Sequence, residues 1–137
     1  MRTLTNLGVV LAMMVVVVGC RNAAQAQLNE LQRVHSGTLD VVLLSEGEAL
    51  RLGKGTFVLE FKDPGGQLVD VGTVKVTATM SMPGTAPMFG DNIVKEAATK
   101  GRYEVASDLG MAGTWRLTVE WNGPAGRGSA SLPGTVL

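Results

Sequence analysis

A chain of 137 residues has room for one domain, and twelve Lys and Arg balance twelve Asp and Glu to a formal net charge of zero. The basic residues are scattered rather than clustered, which excludes the cationic stripe that nucleic-acid backbones require. Aromatics make up only 4% while Val, Leu, Gly and Thr are common, a balance that favours short β-strands over Ala- and Glu-rich helices.

The first nineteen residues read as a signal peptide (1–19). One basic residue, Arg2, precedes an apolar run from Leu7 to Val18, which is short of the roughly 20 residues of a membrane-spanning helix and typical of a signal h-region. The run ends in "VVGC", which resembles a bacterial lipobox with Cys20 as the acylated residue. Cys20 is the sole cysteine, so no intramolecular disulfide forms and lipidation accounts for its position. Two or three acyl chains at about 0.8 kcal/mol per methylene give stable anchoring without a transmembrane helix. The expected location is therefore extracytoplasmic, lipid-anchored and facing the periplasm. Arg21 stands where enteric lipoproteins of the inner membrane carry aspartate, and that resemblance favours the outer membrane.

Residues 20–36, the candidate lipidated Cys20 followed by "RNAAQAQLNELQRVHS", are polar with small side chains and read as a tether with a transient helix around Leu28 to Val34. The single histidine, His35, is expected there as a solvated residue. From residue 37 to 137 short apolar runs alternate with turn signals about every ten residues, the pattern of an all-β, Ig-like antiparallel β-sandwich of about seven strands. The predicted strands are Thr38 to Ser45, Thr56 to Lys62, Thr73 to Met80, Ile93 to Ala98, Arg102 to Ser107, Thr114 to Trp121 and Gly128 to Val136. Alternation puts Phe57, Leu59 and Phe61 on one face, and Trp115, Leu117, Val119 and Trp121 on another. By the same parity Met80 points to the core as its strand ends. "DPGG" at Asp63 to Gly66 is a turn, and "GPAGRG" at Gly123 to Gly128 is expected to be a long hairpin loop.

With one histidine and no cysteine in the domain, Ser/His/Asp and Cys/His catalysis lack a base or a nucleophile, and ordinary zinc or iron sites lack ligands. The glycines of "GPAGRG" join two strands without the helix that phosphate binding uses. Glu46 and Glu48, or Asp63 and Asp70, lie in turns and give no reason to infer an acid–base pair. A non-enzymatic protein is expected.

One stretch carries chemistry. "TMSMPGTAPMFG" holds Met80, Met82 and Met88, and the only other methionine outside the leader, Met111, lies in "LGMAGTW". Thioether sulfur is soft and uncharged, so it binds Cu(I) in preference to hard cations. M-x-M puts Met80 and Met82 on one side of an extended segment, and the turn at Pro83 and Gly84 can fold Met88 back toward them. Methionine also fills irregular core gaps and lines adaptable apolar rims, and both readings stand at this point.

The segment "GTFVLEFKDPGGQLVDVGTVKVTATMSMPGTAPM" followed by "GRYEVASDLGMAGTWRLTVEW" resembles the YtkA-like domain, related to FixH-like proteins, over about Gly37 to Trp121. Met80, Met82, Pro83 and Met88 correspond to the family's methionine-rich loop, Gly101 and Tyr103 to its G-x-Y, and Met111, Gly113 and Trp115 to its M-x-G-x-W. The resemblance implies a small exported sandwich with a periplasmic copper role, partnered by copper-transport or respiratory-oxidase assembly proteins. Thr85 and Ala86 stand where relatives often carry another Met or a His. The expectation is a Cu(I)-binding lipoprotein for copper buffering or delivery; the alternative is an interaction module without metal, whose methionine loop contacts a membrane-protein partner.

Overall fold

The computed structural model describes residues 27–137. The expected signal peptide, Cys20 and residues 21–26 of the expected tether lie outside the described residues. Eight strands follow in order: β1 (Asn29–Ser36), β2 (Leu39–Ser45), β3 (Gly53–Lys62), β4 (Thr73–Met80), β5 (Met88–Glu96), β6 (Arg102–Leu109), β7 (Gly113–Gly123) and β8 (Gly126–Val136). All pairings are antiparallel, in the order β1-β2-β3-β6-β5-β4-β7-β8.

The strands form two faces of an Ig-like sandwich joined at a corner by β5. Its first three residues, Met88 to Gly90, pair with β4, and Asp91 to Glu96 pair with β6. Gly90 sits at the switch, where a Cβ would come within 2.6 Å of Leu109 Cδ2 and 3.2 Å of Asp108 O. A side chain there would displace the end of Leu109 and crowd the Asp108 carbonyl at the corner.

The core lies between the faces and follows the alternation of the sequence. Phe57, Leu59 and Phe61 of β3 meet Val74, Val76 and Ala78 of β4 and Trp115, Leu117, Val119 and Trp121 of β7 in one buried cluster. Phe61 packs edge-on against both Tyr103 and Trp121, with ring centroids 5.5 and 5.2 Å apart. Each such side chain contributes roughly 1.5–3 kcal/mol on leaving water. A second cluster of Val42, Leu44 and Val58, with Leu28 against it, covers part of the outer face of the β2–β3 pair.

Three expectations are corrected. Asn29 to Ser36 is not tether or nascent helix but strand β1: Leu31 and Val34 pack against the core, and Ser36 Oγ donates to Ser129 O of β8, closing the sandwich edge. The polar residues that hide this strand are its outward and bulged positions, the register shifting between Glu30 and Gln32. The fourth expected strand begins at Met88 rather than Ile93, because Met88 to Gly90 pair with the end of β4. The 123–128 glycine stretch is not a long loop, since pairing continues to Gly123↔Gly126 and leaves only Pro124 and Ala125 as the turn.

Candidate functional site

The methionine end is built by three connections. β4 ends at Met80, the chain turns through Ser81 to Pro87, and β5 begins at Met88. Pro83 supplies its fixed φ and Gly84 a φ of 78°, and Thr85 N donates to Met82 O at 3.3 Å, the arrangement of a type II turn. This turn returns Met88 to a position directly opposite Met80 in the ladder. Directly opposed residues have Cβ atoms about 5 Å apart and project to the same face. Both side chains are half-buried and pack against the core, so the two thioethers sit at the open end of the space between the sheets.

Met111 approaches from the connection between β6 and β7, and its side chain is exposed. Fully buried Trp115 fixes that connection, its Nε1 donating to Met111 O at 2.9 Å. Gly113 lies between them with a φ of 132°, and a Cβ there would come within 2.5 Å of Met80 Cε. The M-x-G-x-W spacing therefore has a direct geometric content: Trp115 holds the Met111 backbone, and the bare Cα of Gly113 receives the Met80 methyl. Met82, half-buried in the turn, completes a group of four methionines gathered at one end of the sandwich. Among the described residues no three or more His, Cys, Asp or Glu come together; the methionine end also carries the carboxylates Asp91 and Asp108, opposed across β5 and β6.

Gly101 and Tyr103 do not join this group. Both lie at the opposite end, where Gly101 has a φ of 84°, its O accepts from Phe61 N, and a Cβ would come within 2.8 Å of Val69 N. Tyr103, buried, donates from its hydroxyl to Gly72 O at 2.7 Å. The G-x-Y pair thus clamps the 63–72 connection, and burial raises the Tyr103 pKa above its ordinary value. Asp63 and Asp70 are turn residues there, each accepting from a nearby backbone N–H at 2.9 Å. His35 is exposed on β1 and paired with Asp40 at 2.8 Å, away from the methionines.

Sequence reasoning missed Phe89, which lies beside Met88 and remains 67% exposed. The signal was present in the quoted stretch: an aromatic next to an inward-facing residue of a strand must face outward.

The eight strands define an all-β, antiparallel sandwich domain. The YtkA-like family model matches residues 33–120, and the chain belongs to that family. No curated protein matches the chain.

Proposed function

We propose that this protein is a lipid-anchored, extracytoplasmic domain that binds Cu(I) through Met80, Met82 and Met88, with Met111 as fourth ligand, and buffers or delivers the ion. The observation that carries the reading is the opposition of Met80 and Met88 across the β4–β5 pair, with Gly113 leaving room for the Met80 methyl beside the connection that bears Met111. Thioethers suit a monovalent soft cation that must be released again, because they carry no charge to trap it. The role is binding and transfer, with no reaction step. An N-terminal lipobox-like "VVGC" supports attachment through Cys20 to a bacterial membrane, the outer membrane favoured, with a copper transporter or oxidase-assembly protein as the class of partner.

The test is an anaerobic Cu(I) titration against a coloured chelator, comparing the chain from Arg21 onward with its Met80→Leu/Met82→Leu/Met88→Leu variant. Stoichiometric binding lost in the variant is the expected result. Equal failure of both to compete sinks the copper reading. A second reading, an interaction module without metal, has its own support in the exposure of Phe89 and Met111 at the same end. Survival of biological function in the triple leucine variant would favour it, since leucine keeps the apolar surface and removes the sulfur.

A further inference from the structure

We infer that the methionine end of the sandwich rests directly on the lipid surface. This deepens the proposed function and rests on one part of it, the acylation of Cys20.

The first observation is topological. The registers Asn29↔Ser45, Gly53↔Leu109, Met80↔Met88 and Gly113↔Val136 bring the start of β1 to the same end of the molecule as all four methionines. Eight residues, Arg21 to Leu28, separate Cys20 from Asn29, and even fully extended they reach no more than about 30 Å. Because the segment assigned to the tether gives up Asn29 to Ser36 to β1, the anchor is held close to this end. The opposite turns stand a further strand length away, roughly 30 Å for the ten residues of β3.

The second observation is the distribution of exposed apolar side chains. Among the described residues the large ones are Leu52, Phe89, Ile93, Met111 and Leu137. Four of these five lie at the methionine end: Leu52 precedes β3, Phe89 is the second residue of β5, Met111 precedes β7, and Leu137 follows β8. The opposite turns present Asp63, Thr99, Lys100 and Pro124 instead. Charges near the methionine end are of both signs, Glu46, Glu48, Asp91 and Asp108 with Arg51 and Lys54, so attraction to anionic headgroups is not the driving term. The contact is apolar insertion at the interface, weak alone and made effective by the high local concentration that the short link imposes. The turn carrying Met82 then faces the bilayer.

The test uses the full acylated chain purified from bacterial membranes, with acylation of Cys20 read by mass spectrometry. Ala112→Cys at the methionine end and Ala125→Cys at the opposite end, both exposed positions, each supply the only free thiol for a fluorophore once Cys20 is acylated. Vesicles of phosphatidylcholine, alone or with phosphatidylglycerol, carry a headgroup-level quencher. The expected result is quenching at residue 112 several-fold stronger than at residue 125 in both vesicle types, reduced by adding Leu52→Ser and Phe89→Ser while the far-ultraviolet spectrum is unchanged. Equal quenching at the two ends in an acylated chain overturns the inference alone. Protection of residue 112 only in membranes containing other proteins overturns it in favour of a protein partner, and dependence on phosphatidylglycerol overturns the apolar mode of contact. An unmodified Cys20 overturns the anchoring reading itself.

Discussion

Gly113 and Met80 share one volume: the Met80 methyl occupies the space in which residue 113 would carry its side chain, 2.5 Å from an ideal Cβ. The glycine also holds a φ of 132°, where an L side chain is strained. Gly113→Ala is therefore expected to cost about 1–3 kcal/mol, read from urea midpoints. It should also push Met80 out of line with Met88 and weaken Cu(I) binding by about tenfold, the equivalent of about 1.4 kcal/mol. A destabilised variant with unaltered Cu(I) affinity would detach Met80 from the ligand set.

Met80 and Met82 are separable by what else they do. Met80 packs against the core and Met82 sits in the turn outside it. Met82→Leu is expected to change stability by less than about 1 kcal/mol, because the swap conserves the apolar volume of a half-buried side chain, and yet to weaken Cu(I) binding. Met80→Ala should lower both, with a stability cost of about 1–2 kcal/mol for a half-buried side chain. Chelator competition and chemical denaturation on the same samples distinguish sulfur chemistry from packing.

Much of this arrangement is legible in the sequence because strands with one buried face write it down at every second residue. The run Trp115, Leu117, Val119, Trp121 is buried throughout, and Met80 falls on the core side as its parity requires. What is not legible is pairing that the local residue types conceal, together with one contact between distant residues. β1 is polar because it is an edge strand: its ladder with β2, from Ser36↔Leu39 to Asn29↔Ser45, sets its place, and Ser36 adds a hydrogen bond to Ser129, 93 residues away. Likewise, the early start of β5 is fixed by pairing with β4, which the proline- and glycine-rich composition of 83–90 conceals. The approach of Met80 to Gly113 has no local signature at all, since it is made across two strands.

Tyr103 supplies a test of the opposite end. Its hydroxyl donates to Gly72 O at 2.7 Å, and Tyr103→Phe leaves that carbonyl without this partner, at an expected cost of about 1–2 kcal/mol. Burial raises the phenol's pKa in the fold, so the neutral form is favoured there. The sign follows: this contribution is complete below the ordinary phenol value near 10 and declines as pH rises through the raised folded value. Alkaline denaturation should therefore be shallower in Tyr103→Phe than in the native chain. An unchanged alkaline limb would show that the phenol titrates alike in both states.

On the acid side the responsible groups are on the β1–β2 ribbon. Asp40 accepts from His35 Nδ1 at 2.8 Å and Arg33 Nη1 at 3.1 Å, while Arg33 also makes two bonds to Glu30, at 3.0 and 2.8 Å. The hydrogen bonds from His35, then Arg33, hold the Asp40 carboxyl below its usual range, and the bond from Arg33 does the same for Glu30. A carboxylate whose pKa is depressed by folding stabilises the fold above its unfolded value, and that stabilisation is lost as pH falls through the folded one. The thermal midpoint is thus expected to decline from about pH 5 to pH 3, with a smaller slope in Asp40→Asn. Because these groups are exposed, about 0.5 M salt should flatten the native slope as well. A salt-insensitive acid limb, identical in Asp40→Asn, would move its origin away from this ribbon.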